Sequence, residues 1–592
     1  MSLCSEATSS VVVGETACSQ QNMVSLNVFC DNQFTGEVFS DKVTVNAIPL
    51  YSNLVSSMVV DHPVAFANDV VVEQHPITVQ TNTTSAVLVI PDSVNTVYPH
   101  VLRFYKGLLE TYNRFDLDIW VDTTQPGSSN ANQFDLPLVF GGTYNFIAYW
   151  GDGTNDTFTT YNPVYRKHTF TGGPGLYNIK LVGQIKGWAF YGVGDCKKLM
   201  SVENWDVGFQ MWSELDGYYF SGCVNMQLNV TTPPNLSETT GLRAAFYDCA
   251  IMGSPDLSNW DTSLITNMNY TFFGTNFNGN ITTWNTGAVT EMEYTFGSTT
   301  EFDQDLRGWD VSNVTSMYGM FADSKKFNQS LNTWDVARVQ YFGNMFTMTE
   351  KFNGAIDAWD TGSATSFHSM FQYAKEFNQP LNNWDTSRVL DMSYMFSHAE
   401  AFNQPLDKWN TGLVETLESM FEYSVFNQNI NSWNVINVKT TINMFESNSV
   451  FNQPLNRWNV SNVTIMDNMF TNTTAFNQPL YNWNVEKVTS MVSLFYGAWA
   501  FKQDLSNWNP KACTDMGGMF YGTNMNSDPS TGNNYTKLLL SWGSPPKVLG
   551  LQDSVSFDAG NSQYQNSALV LQARDTLLNF KSWSITDGGP VV

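Results

Sequence analysis

The chain has 592 residues, too many for one ordinary globular core, so several domains or a repeat array are expected. Charged residues make up only 14% of it and aromatic residues also 14%, which excludes the charge-rich, aromatic-poor composition of a disordered chain. The net charge is −26, from 54 acidic against 28 basic residues with no basic cluster, so no nucleic-acid partner is expected.

The N-terminal sequence MSLCSEATSSVVVGETACSQQ has neither a basic region nor an apolar run, so it does not read as a secretory leader. No stretch of about 18 apolar residues follows, and no membrane insertion is expected. Residues 1–119 read as a β-rich domain: Val11 to Pro91 is rich in Val, Ile, Thr and Phe broken by Asn, Asp and Gly, and Tyr98–Phe115 has helical character. The seven cysteines show no CxxC pair, which argues against a zinc ribbon. Cys4, Cys18 and Cys30 lie close enough in sequence for a disulfide, with buried free thiols as the alternative.

Residues 120–190 read as a small β-sandwich-like domain, strands punctuated by GG and DG. Within WGDGTND, Asp152 and Asp156 are weak calcium candidates, since carboxylates beside turn carbonyls bind that ion. The competing reading is that Asp152-Gly153 simply turns a hairpin.

Residues 191–525 carry the strongest signal. Tryptophans at 260, 284, 309, 334, 359, 384, 409, 433, 458, 483 and 508 give ten intervals, eight of 25 residues and two of 24. Two phenylalanine columns march in step, one from Phe272 to Phe520 and one from Phe277 to Phe501, with methionine before most members of the first. A unit this short cannot bury its own aromatics, whereas a stack can, so a β-rich solenoid of about 25-residue coils is expected. Met392, Met395 and Phe396 at i, i+3 and i+4 suggest one short helical turn per unit, and the extended FNQPL segment suggests a short strand. Asp or Asn follows every one of these tryptophans, and such free exchange favours a side chain accepting N–H bonds from its own turn over a calcium column. Residues 526–592 read as a C-terminal cap, with helices expected at Tyr535–Trp542 and Ala568–Phe580.

No HExxH, GxSxG, P-loop or dinucleotide motif occurs among these residues, so neither an enzyme nor a cofactor is expected. A β-helix polysaccharide hydrolase is the remote enzymatic alternative, because it shares the coil length. Ligand contacts on a regular scaffold should use positions that vary while the core stays fixed. Tyr373, His398, Tyr423, Tyr496 and Tyr521, just after the first phenylalanine column, are the candidates.

The unit FNQPLNNWDTSRVLDMSYMF and its neighbours resemble the BspA-like leucine-rich-repeat surface proteins, more narrowly their mycoplasma-type variant. YWGDGT resembles the polycystic-kidney-disease-type block that often precedes such repeats, and FDAGNSQY and WSITDGG resemble the family's C-terminal cap. The resemblance implies a leucine-rich-repeat-like solenoid, and extracellular proteins of bacteria, protists and large DNA viruses that act in adhesion or surface coating. The resulting expectation is a non-enzymatic, surface-displayed protein for adhesion or host attachment, on a virion or a cell surface. Its ligand would be a protein or glycan, and residues 1–119 would contact other virion or envelope proteins. A structural spacer without a host ligand is the alternative.

Overall fold

The computed structural model describes seven strands between residues 11 and 89, residues 116–525 except 207, and residues 533–591. The chain divides into two compact units, Met1–Arg114 and Phe115–Val592. In the first, β1 (Val11–Val13), β4 (Lys42–Val45), β5 (Ser57–Val59), β6 (Pro76–Thr81) and β7 (Ala86–Val89) form an antiparallel sheet in the order β1-β4-β7-β6-β5. β2 (Ser25–Phe29) and β3 (Gln33–Glu37) pair as a hairpin. The β-rich expectation matches these strands. The helix expected at Tyr98–Phe115 and the three N-terminal cysteines lie outside the described residues.

The second unit opens with β8 (Leu117–Asp122), β10 (Leu138–Tyr149), β11 (Asn155–Phe158) and β13 (Leu176–Trp188), followed by β14 (Leu199–Trp205), β15 (Phe209–Gln210) and β16 (Gln227–Leu228). They form one seven-stranded sheet in the order β11-β10-β13-β8-β14-β16, with β15 beside β13. Leu117, Ile119 and Val121 on alternate positions of β8 are fully buried, as a half-covered strand requires. β9 (Gln133–Asp135) and β12 (Lys167–Thr169) pair separately. Pairing is antiparallel as far as β14 and parallel from β14 to β16, where the sheet passes into the repeats. The segment 120–190 and the array therefore share a sheet, and one apolar core runs from Leu117 to Trp583.

From Gly241 to Asp515 each unit joins the next through one parallel bridge residue, for example Ser366 to Asp391 to Thr416. Around it alternate amides point sideways: Tyr394 N donates to Glu418 O at 2.8 Å, Phe396 to Met420 at 2.9 Å and His398 to Glu422 at 2.8 Å. The amides between them, at Met395, Ser397 and Ala399, donate three residues back. The expected helical turn at Met392–Phe396 is thus absent. A helix needs every amide along its axis and right-handed torsions throughout, whereas Tyr394 and His398 sit at φ 59° and 57°. The strand expected in FNQPL is absent too, because the inter-unit backbone pairing belongs to the segment around the first phenylalanine.

In FNQP the link is made by asparagine. Asn378 Oδ1 accepts the backbone N–H of Asn403 (3.0 Å) and the Gln404 amide (3.2 Å), and Asn403 repeats this toward Asn427 and Gln428. Side chains thereby supply inter-unit bonds in a segment whose proline has no N–H to give. From Trp284 to Trp508 each tryptophan indole donates to a carbonyl one unit back, as Trp384 does to Ile356 O at 3.1 Å and Trp409 to Leu381 O at 2.9 Å. The first phenylalanine column is an unbroken stack from Phe246 to Phe520, with centroids 5.4–5.8 Å apart. Burying each such ring contributes about 2–3 kcal/mol relative to exposure. A 24-residue unit is shortened between its two phenylalanines, yet Phe421 and Phe426 still stack at 4.0 Å, against 3.9 Å for Phe396 and Phe402.

The Asp/Asn column takes the expected turn role: Asp385 Oδ1 accepts Ser387 N at 2.9 Å and Asn410 Oδ1 accepts Gly412 N at 3.1 Å. The cap contains helices α1 (Asn534–Trp542) and α3 (Ala568–Asp575, continued by a π-helical turn to Phe580), matching the two expected positions, and a short α2 (Lys547–Gly550) that was not expected. Strands β17 (Asp515–Met516), β18 (Ser556–Asp558) and β19 (Ser584–Thr586) continue the parallel pairing, and the Trp542 indole donates to Trp508 O at 3.0 Å.

Candidate ligand-binding face

Asp152 lies at the turn between β10 and β11, and Asp156 in β11 opposite Ala148. Asp152 accepts bonds from Thr154 N (3.0 Å) and its hydroxyl (2.5 Å), from Thr171 N (3.2 Å) and from the His168 ring (3.0 Å). Burial works against its charge, but the Thr154, His168 and Thr171 bonds win and hold the carboxyl well below the usual range. Asp156 accepts the Trp150 indole N–H at 2.8 Å, and His168 stacks on that indole at 4.3 Å. Both carboxylates thus have partners within the turn region. Among the described residues no group of three or more His, Cys, Asp or Glu side chains is placed to hold a metal ion. Cys196, Cys223, Cys249 and Cys513 are buried free thiols, and burial pushes each of them up.

The segments around the bridge residues form a ladder face along the array. Two positions in every unit, two residues before and two after the first phenylalanine, are left-handed. Gly, Asn, Asp or Ser fills most of them, the residues that tolerate positive φ best. The position after phenylalanine departs from this in four successive units: Met348, Tyr373, His398 and Tyr423, at φ 59°, 59°, 57° and 50°. A bulky residue there costs roughly 1–2 kcal/mol.

Three of these departures stack. The Tyr373 and His398 rings lie 4.2 Å apart at 22°, and His398 and Tyr423 lie 4.7 Å apart at 17°. Tyr423 is 48% exposed, while Tyr373 and His398 are half-buried between their neighbours. Burial lowers the His398 pKa against the pull of Glu422 and Glu400, favouring a neutral ring in this stack. Tyr496 and Tyr521 do not join them. They occupy the adjoining position, one residue nearer phenylalanine, where they stack on each other at 4.9 Å. The five sequence candidates are therefore two separate aromatic groups.

Two further groups escaped the sequence reading. Trp499 is 66% exposed near Tyr496 in the chain, the indole nitrogen lying beside Gly522. Tyr270, Tyr294 and Tyr318 form a half-buried strip with centroids 5.2 and 5.6 Å apart, and Tyr247 stacks on Phe273 at 5.0 Å. Tyrosine at one offset in consecutive units (Tyr270, Tyr294) was the available signal.

The family model described as "Mycoplasma protein of unknown function, DUF285" matches residues 240–356, 331–430 and 422–532. Together the three matches span residues 240–532, the repeats from the unit of Phe246 to that of Phe520. The matched span contains the Tyr373–His398–Tyr423, Tyr496–Tyr521 and Tyr270–Tyr294–Tyr318 groups and Trp499. No curated protein and no solved structure matches the chain.

Proposed function

We propose that the DUF285 array is a non-enzymatic solenoid scaffold displayed on a cell or particle surface, where its ladder face binds a ligand for adhesion or attachment. The observation that carries this reading is the Tyr373–His398–Tyr423 stack. Three rings occupy left-handed positions that all other units but that of Met348 give to Gly, Asn, Asp or Ser, so the chain accepts a local cost to hold stacked, partly exposed aromatics on a rigid support. Tyrosine and histidine combine a flat apolar surface with hydrogen-bonding atoms, and aromatic residues of this kind concentrate in binding interfaces.

The reading is tested with the full chain and a Tyr373→Ala/Tyr423→Ala variant, applied to host or neighbouring cells and to immobilised glycans and proteins. Saturable binding that the double substitution weakens supports it. Absence of binding to any surface, with particles or envelopes destabilised when the protein is deleted, would make it a structural spacer instead.

A further inference from the structure

Charge is segregated around the array. The eleven eight-residue segments that begin at the bridge residues Asn267, Glu291, Ser316, Tyr341, Ser366, Asp391, Thr416, Thr440, Ile465, Ser490 and Asp515 contain no lysine or arginine. All thirteen basic residues between 267 and 522 lie outside them. The same segments hold nine carboxylates. Elsewhere in the array several acids pair with bases: Glu301 with Lys326, Glu376 with Lys351, and Glu486 with Lys511 at 2.6 Å; on the segments themselves Asp323 lies 3.9 Å from Lys325.

Beside the aromatic stack this leaves Glu422 and Glu446 in successive units, with no lysine or arginine ion pair to either among the described residues. Lys439, in the unit between them, pairs with Glu415 at 2.5 Å, and Lys375 lies 3.9 Å from Glu350. Burial and the neighbouring Glu422 push the Glu446 carboxyl up, and Glu422 accepts the Ser397 hydroxyl at 3.2 Å rather than a cation. Tyr394 donates to Glu418 at 2.7 Å on the same face, placing a third carboxylate against an aromatic ring.

We infer that the surface formed by Tyr373, His398, Tyr423, Glu422 and Glu446 docks a lysine- and arginine-rich polypeptide segment of a partner. This rests on the binding reading proposed above and adds its chemistry. A guanidinium stacks on a tyrosine face while its N–H fork engages a carboxylate, so one cationic side chain satisfies both features of the surface. An anionic glycan or a nucleic acid would be repelled. A neutral glycan would use the rings and leave the carboxylate pair uncompensated.

The test uses the full chain with a fluorescein-labelled oligo-arginine peptide, an oligo-glutamate peptide and a neutral oligosaccharide, followed by anisotropy over a series of NaCl concentrations. The arginine peptide should bind and the other two should not, with affinity falling as salt rises. Glu422→Gln/Glu446→Gln should weaken it about tenfold. Glu301→Gln/Glu376→Gln removes the same charge away from the face and should change it less than about twofold. Equal losses for the two variants would reduce the effect to net charge and overturn the inference. So would failure of the arginine peptide to bind, or preferential binding of the oligosaccharide. Attachment to cells that oligo-arginine does not compete would overturn the cationic partner while leaving the binding function standing. Circular dichroism of both glutamine variants checks that the fold is intact.

Discussion

Two regions of each repeat meet the same requirement in opposite ways. On the ladder face the backbone satisfies itself: alternate amides reach the next unit's carbonyls, and side-chain identity contributes little to that bonding. In the FNQP and tryptophan segments, side chains are the bonding groups, with asparagine carbonyls, indole N–H groups and Asp/Asn carboxylates or amides each completing a backbone partner. Residue choice is therefore tightly limited in one region and open in the other, apart from the φ constraint. Variation on the ladder face can carry recognition at little cost to the stack, and variation in the other segments cannot.

The comparison is tested most severely in the core of the constrained region. Trp384→Ala removes a buried ring and its indole bond to the Ile356 carbonyl, and should cost about 4–5 kcal/mol in urea unfolding. In the 3-10 turn just before β14, Lys198 is fully buried beside Asp195 and donates to Ser129 O, Asn130 O and Gln133 O at 2.9–3.1 Å. Lys198→Met should cost about 3–4 kcal/mol, because those carbonyls and the carboxylate lose their cation. Asn378→Ala leaves the Asn403 amide and the Gln404 side chain without their acceptor, and a loss of about 2 kcal/mol is expected.

On the open face the sign reverses. Tyr423→Asn relieves a strained φ of 50° and should stabilise the chain by about 1 kcal/mol while weakening ligand capture. A matching loss of stability would mean that the aromatic stack outweighs its backbone cost. Smallest of all, Asp385→Asn should change stability at neutral pH by less than about 0.5 kcal/mol, since either side chain accepts from Ser387. Its signature is in acid. Ser387 bonds hold the Asp385 carboxyl below its unfolded value, so its contribution is complete above about pH 4 and fades as pH falls through the folded pKa. The asparagine variant should lose that part of the acid slope.

The repeat period, the buried columns and the turn role of the Asp/Asn column were legible in sequence, because burial and Asx turns impose residue type at fixed spacing. Local backbone geometry was not. Met392, Met395 and Phe396 share a face in a helix and also in a chain that alternates right- and left-handed residues, so apolar spacing alone could not separate them. The glycine, asparagine and serine that recur at the left-handed positions carried that information, and the tyrosines and histidine that replace them masked it. The aromatic candidates were visible singly, but their division into Tyr373–His398–Tyr423 and Tyr496–Tyr521 depends on a one-residue offset that decides which rings meet.

The shortened units, in which Phe421 and Phe426 keep their contact despite a missing residue, bear on how such a molecule changes over time. Interior units meet their neighbours through the same bonds, so whole units could be gained or lost by duplication or deletion while the sheet at one end and the cap at the other keep equivalent partners. Each such event would lengthen or shorten the molecule by roughly one strand spacing, about 5 Å. Reach is then set in fixed increments, and it can be adjusted without redrawing either terminus.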